Sequence, residues 1–126
     1  MLTKVLKCKI HRATVTKSDL DYEGSISIDT ALVHAAGLRP HEAVHVWNVN
    51  TGGRLETYVI PAPEGSGEIG LNGAAARCVQ PGDPVIIAAF CWLDDAEVAK
   101  HCPRVVLVDG ANRVTAVKPS QAEPAM

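Results

Sequence analysis

What most constrains this chain is its punctuation: each apolar run is cut by a Gly, Pro, Asn or Asp turn before it can grow into a long helix. From Leu6 to His11 the residues alternate, with Leu6, Cys8 and Ile10 on one face and Lys7, Lys9 and His11 on the other, which predicts a half-buried strand. Two further runs, Ala43 to Val49 and Arg54 to Ile60, flank Asn50-Thr51-Gly52-Gly53, whose residues suit positive φ, so they are expected to pair as an antiparallel hairpin. In the second run Arg54, Glu56 and Tyr58 share a face, and Leu55, Thr57 and Val59 take the other. A polar loop from Lys17 to Ser25 leads into a short strand at Ile26-Ser27-Ile28. Asp29-Thr30 before Ala31 to Ala36, closed by Gly37, has the cap residues of a short helix.

Later in the chain, Asn72-Gly73-Ala74-Ala75-Ala76-Arg77 reads as a glycine-containing turn entering a short helix, with small residues that permit close backbone approach. Gln80-Pro81-Gly82-Asp83-Pro84 precedes a continuous apolar strand, Val85 to Cys91. Asp94 to Lys100 can form two helical turns, and Arg104 to Val108 pairs with Arg113 to Val117 around Asp109-Gly110-Ala111-Asn112. The expectation is a mainly β domain of six or seven short strands with two or three short helices over residues 1–117, closed into a small barrel because closure removes sheet edges. Residues 118–126, with Pro119, Ser120, Gln121 and Pro124, are expected to be a disordered tail.

Composition narrows the functions. The 126 residues, 47% hydrophobic and 21% charged, make one domain able to bury a core without staples. A net charge of −2 gives no global attraction to nucleic acid or to a membrane surface. Tyr22, Trp47, Tyr58, Phe90 and Trp92 are the only aromatic residues, too few for base-stacking platforms, so the core must be built from Val, Ile, Leu and Ala. Met1 to Lys4 does not open an apolar signal segment, which makes the cytoplasm the expected address. Cys8, Cys78, Cys91 and Cys102 lack metal or disulfide spacing and read as reduced, mostly buried small hydrophobes; the five histidines do not show metal spacing either. The three potentially cationic groups on the Leu6 to His11 strand, about 6.8 Å apart, fit a solvated face or an anion site.

No phosphate loop, HExxH or GxSxG elbow is present. What remains is a set of residues that periodicity alone does not connect. Lys9-Ile10-His11-Arg12, Asp21-Tyr22-Glu23-Gly24-Ser25, Ile28-Asp29, Trp47-Asn48-Val49, Thr57-Tyr58 and Asn72-Gly73-Ala74-Ala75-Ala76 occur in this order. In that order they resemble the pyruvoyl-dependent aspartate 1-decarboxylase family, from about residue 1 to residue 117.

The resemblance implies a double-psi β-barrel that assembles as a homotetramer, leaves open a maturation factor, and converts L-aspartate to β-alanine and CO2 for pantothenate synthesis. It implies cutting of the Gly24–Ser25 bond into a β chain, 1–24, and an α chain, 25–126. The Ser25 hydroxyl would attack the Gly24 carbonyl to give an ester, and elimination followed by hydrolysis would leave a covalent pyruvoyl group. Such a carbonyl serves as the electron sink that ordinary side chains lack, without metal or pyridoxal phosphate. By the same resemblance Arg54 and Lys9 hold substrate carboxylate, Tyr58 is the proton donor, and Thr57 assists cleavage and touches substrate. Gly73, Ala74 and Ala75 offer backbone N–H groups and room, and His11, Tyr22 and Asn72 line the pocket. Read without the family, Lys9 and His11 are equally surface residues, Thr57 and Tyr58 ordinary β formers, and Asn72-Gly73 a turn. Two other readings stand beside this one: a non-enzymatic barrel with an intact Gly24–Ser25 loop, and a pyruvoyl decarboxylase for another acidic amino acid.

Overall fold

In the structure, a computed structural model describing residues 1–120, the alternation at Leu6 to His11 belongs to a longer strand, β1 (Thr3–Thr14). Cys8, Ile10 and Ala13 are buried along it. Ile10 and Ala13 can both point inward because the register against a neighbouring strand shifts between them, around Arg12 with its φ of +59°. This is a β-bulge, and it bends the strand as it changes the parity of its faces.

The remaining strands are β2 (Lys17–Asp19), β3 (Ser25–Asp29), β4 (Ala43–Asn48), β5 (Arg54–Ala62), β6 (Ile69–Asn72), β7 (Pro84–Leu93), β8 (Arg104–Val108) and β9 (Val114–Pro119). Helices α1 (Thr30–Ala36) and α2 (Asp95–Lys100) and a 3₁₀ turn, Gly73–Cys78, complete the described elements. The sheet order is β2-β6-β3-β5-β4-β7-β1-β8-β9. β2 and β1 stand far apart in that order, yet only Val15 and Thr16 separate them in the chain. Val15 N–H donates to Asp83 O at 2.9 Å, while Thr16 N–H donates to Ile69 O at 2.8 Å, so one segment bonds both flanks and closes the sheet on itself. The result is a barrel to which β8 and β9 add a hairpin, with β8 parallel to β1. Pairing is mixed: β3 runs parallel to β5 and antiparallel to β6.

Ile10, Ile26, Ile28, Val44, Val46, Val59, Ile69, Leu71, Val85 and Ile87 fill the interior. The core is aliphatic, as the composition requires, since no aromatic ring is buried among the described residues. The hairpin forms as expected, β4 against β5 with Trp47 opposite Arg54 and Ala43 opposite Tyr58. Helix α1 begins and ends where its caps predict. Asp29 Oδ1 accepts from Ala31 N–H at 2.9 Å, and Gly37 at φ +74° ends the helix, with Leu38 N–H donating to Val33 O. A capping box between Asp94 and Glu97 starts α2.

Three expectations need correction. The strand count is nine, because two short strands are added: β2 is a polar triplet held to β6 by backbone bonds with no apolar alternation to reveal it, and β6 is four residues long with Gly70 inside it, too short for a periodic signal. Lys118 and Pro119, assigned to the tail, extend β9 and pair with Val105 and Arg104; the rest of that tail beyond Ser120 lies outside the described residues. Only Cys8 among the cysteines is buried, with Cys91 half-buried and Cys78 and Cys102 exposed, since the last two sit where the 3₁₀ turn and α2 run out. Burial pushes the Cys8 thiol up to about 11, which keeps it protonated and inert.

Asp29 is the polar tie of the fold. Besides capping α1, its carboxylate accepts from Gly65 N–H at 3.0 Å and Gly67 N–H at 2.8 Å, which pins the loop between β5 and β6. Burial pushes its carboxyl up, but the N–H groups of Ala31, Gly67 and Gly65 outweigh that and hold it below the usual carboxylate value of 3.8. A depressed carboxyl contributes stability that is present above its unfolded pKa and lost as pH falls through the folded one. Asp29→Asn is therefore expected to be less stable by about 2 kcal/mol in urea at pH 7, the scale of hydrogen bonds to a charged acceptor. The gap to the wild type should narrow as pH drops below 4, and a gap constant from pH 7 to pH 3 would show that the charge contributes nothing.

Candidate active site

Ser25 and Ser27 lie two apart on β3 and so share one face of the sheet, and on the neighbouring β6 Asn72 stands directly opposite Ser25 in the antiparallel ladder. Asn72 Nδ2 donates to Ser25 Oγ at 2.9 Å and to Ser27 Oγ at 3.1 Å. Ser25 and Asn72 are each only 2% exposed, so this network is shielded from water. Asn72 precedes the 3₁₀ turn but makes no side-chain cap there, because its amide is committed to the two serines.

Gly73 follows with φ +66°, and a Cβ there would stand 2.8 Å from Gly24 Cα, 2.9 Å from Gly24 N and 3.0 Å from Tyr22 O. The close approach that the small residues permit is thus to the segment just before Ser25. On the other side of β3 the parallel register pairs Ile26 with Val59, and extended back by two residues it brings Gly24-Ser25 alongside Thr57-Tyr58. These pairings build a cleft of about 410 Å³ walled by Gly24, Thr57, Tyr58, Asn72, Ala74 and Ala75. Tyr58 is 39% exposed, enough to reach a bound molecule from the wall, and its ring lies 6.2 Å from that of His41.

Leu55, Glu56 and Cys78 share that wall. Leu55 and Glu56 precede Thr57-Tyr58 on β5, and Cys78 ends the 3₁₀ turn; no motif marks them as site residues. Ser27 belongs to the buried network of Asn72, a place that the Ser-x-Ser alternation beside Ser25 marks.

Other residues singled out in the sequence stand elsewhere in the single chain. Arg54 lies in an adjoining hollow, where its guanidinium carbon sits over the Trp47 ring, 4.8 Å from the centroid, beside Phe90 and His45. This cation–π contact holds a group whose planar fork suits a carboxylate. Lys9 and His11 line a separate cavity between β1 and the β8–β9 hairpin. Tyr22 is 63% exposed and contributes its carbonyl, not its ring, to the contact with Gly73. No group of three or more His, Cys, Asp or Glu able to hold a metal occurs among the described residues. No described helix is long and apolar enough to cross a membrane.

A family model described as aspartate decarboxylase matches residues 1–115, and the chain belongs to that family. The barrel described above is the family's double-psi β-barrel. Among curated relatives, the aspartate 1-decarboxylase of Pelotomaculum thermopropionicum is 54% identical over 97% of this chain and 92% of its own. That of Maricaulis maris is 53% identical over 97% of this chain and 100% of its own. That of Dehalococcoides mccartyi is 56% identical over 90% of this chain and 92% of its own. A computationally designed protein, msDPBB_sym2, is similar at a TM-score of 0.42 and 20% identity, covering 68% of this chain and 96% of that chain.

The contact between Gly73 and Gly24 is backbone against backbone and cannot be relieved by a side chain turning away. Gly73→Ala should therefore shift the 22–24 segment away from the cleft while the aliphatic core stays intact. The expected result is a folded barrel by circular dichroism in which the cutting that the family resemblance implies at Gly24–Ser25 is far slower than in the wild type, read by intact mass over days. Unchanged cutting in a folded Gly73→Ala protein would mean that this contact does not position the bond.

Proposed function

We propose that this protein is a self-processing, pyruvoyl-dependent decarboxylase that turns L-aspartate into β-alanine and CO2, the β-alanine serving pantothenate synthesis. The observation that carries the reading is the setting of one peptide bond. Gly24–Ser25 joins a residue on the cleft wall to a buried serine whose hydroxyl is held by Asn72, with Thr57 and Tyr58 on the neighbouring strand. A cytoplasmic address goes with this reading.

For self-processing, Ser25 Oγ attacks the Gly24 carbonyl carbon; a C–O bond forms as the C–N bond breaks, and the hydroxyl proton passes to the departing nitrogen. Asn72 donates to Oγ and so fixes its direction without using the proton that must leave. Thr57 is assigned the hydrogen bond to the carbonyl oxygen on which charge develops, where a pre-placed donor is worth most. Loss of the residue-25 α-proton then expels the Gly24 carboxylate and leaves dehydroalanine. Water completes the conversion to a pyruvoyl group as ammonia departs. That group supplies an electrophilic carbonyl that draws electrons from the substrate amine carbon. The shielding of Ser25 and the small side chains of Ala74 and Ala75 fit a site that must hold such a group and exclude bulk water.

The chain's own residues do the rest. Arg54, braced over the Trp47 ring, and Lys9 anchor the retained carboxylate. Gly73, Ala74 and Ala75 give backbone N–H groups and room, and His11, Tyr22 and Asn72 complete the pocket. Tyr58 delivers a proton from its phenol once CO2 has left. In one chain Lys9 and His11 line a different cavity from Gly24 and Tyr58, so a complete site calls for a second copy, and a homotetramer with sites at subunit junctions meets that need.

Intact mass spectrometry of purified protein tests the reading. Wild type should give two chains, the second starting at residue 25 without a free amine, and the rate at which purified protein matures measures any need for a maturation factor. Ser25→Ala should fold, stay uncut and be inactive. Full aspartate decarboxylation by uncut Ser25→Ala would remove the mechanism, whereas a wild type that never cuts would favour a binding barrel.

Tyr58→Phe separates proton delivery from the earlier steps. It should cut normally and bind substrate, yet lose roughly 100-fold or more in kcat, the usual scale of general acid catalysis. Near-normal turnover would assign the proton to another group or to water.

A further inference from the structure

β1, β8 and β9 stack Lys9, Val105 and Lys118 on one rung, since Lys9 pairs with Val105 and Val105 with Lys118. Residues directly opposite one another point to the same face of a sheet, and two strand spacings of about 4.8 Å leave the two ammonium groups able to converge on one small ligand. They do line one cavity, of about 230 Å³, with Val105 and Leu107 as its apolar floor and His11 and Ser120 on its walls. No acidic side chain lines it among the described residues. The two ion pairs of the described residues, Lys7 with Glu42 and Lys17 with Glu68, involve neither Lys9 nor Lys118.

His11 lines the same cavity, and its Nδ1, buried from solvent, has no hydrogen-bond partner among the described residues. Burial, then the charges of Lys9, Arg12 and Lys118, push the imidazole below its usual 6.5. This leaves a neutral ring between cations in an apolar-floored cavity. Such a site has two positive charges to neutralise.

We propose that Lys9, His11 and Lys118 form a carboxylate site in which Lys118 is a substrate-anchoring residue of the decarboxylase. The assignment rests on the aspartate reading, because that reading makes Lys9 a carboxylate ligand. Lys118 adds a second ammonium to the same anion, one for each carboxylate oxygen, and gives a dicarboxylate amino acid an advantage over a neutral one. No motif marks Lys118; it comes to Lys9 only through the parallel pairing of β8 with β1.

Succinate, a dicarboxylate without an amine to react, is the probe. It is titrated into the mature oligomer while the ring protons of His11, assigned by loss of signal in His11→Gln, are followed by NMR. Succinate should shift them in the wild type. Lys118→Gln should weaken succinate binding and raise KM for aspartate, each by roughly 5-fold to 10-fold as expected for one partly exposed charge contact. The Gly24–Ser25 bond should still be cut, kcat should change less than KM, and Lys118→Arg should recover most of the affinity. Succinate that leaves His11 unmoved, or Lys118→Gln with unaltered succinate affinity and KM, would overturn the proposal. Lys118-dependent succinate binding in a wild type that does not decarboxylate aspartate would instead sink the aspartate reading and leave the carboxylate site standing.

Discussion

Strand β3 is held from both sides, parallel to β5 and antiparallel to β6, and all five of its residues are buried. A strand so placed cannot slip by one residue without turning its apolar set out of the core and its serines into it. That constraint sets the position of residue 25 against residues 58 and 72 at once, because both ladders are counted from the same backbone. The Asn72 amide between Ser25 and Ser27 is a consequence of the register and also reinforces it, since a slip would leave three buried polar groups without partners.

Polar chemistry is kept at the rim of the barrel for the same reason. The interior is filled by Ile, Val and Leu side chains with essentially no exposure, and an unpaired charge there would be costly. Lys9, His11, Arg54 and Tyr58 all lie on outward faces of strands whose other faces supply the core. Each is rigidly based yet reaches solvent, which suits groups that must meet a substrate. The bulge at Arg12 extends this logic: by changing the parity of β1 it lets one strand present Lys7, Lys9 and His11 outward and still return Ala13 and Val15 to the core.

Small side chains are the second ingredient of the cleft. At Gly73 the requirement is double, for a positive φ and for contact with the Gly24 backbone that no Cβ would permit. Ala74 and Ala75 leave the wall low enough for a cleft to form at all. Larger residues frame it instead from β5, through Leu55, Glu56 and Tyr58.

Much of the fold is written in local signals. The hairpin over Asn50 to Gly53, the caps at Asp29 and Gly37, and the aliphatic core all follow from turn chemistry, periodicity and composition, since each depends on residues close in sequence. The order of motifs, Tyr22-Glu23-Gly24-Ser25 followed by Asn72-Gly73, likewise marks the family without reference to any long-range contact. Strand β2 escaped because its three polar residues join the sheet through backbone bonds alone, and the place of Lys118 escaped because a parallel neighbour comes from a distant part of the chain. Which residues meet was decided by tertiary structure: the closure through Val15 and Thr16, the mixed ladders of β3 and the β8 crossover to β1 are long-range pairings. Local sequence determines what each segment can be, whereas closing the sheet around one buried face determines which segments become neighbours.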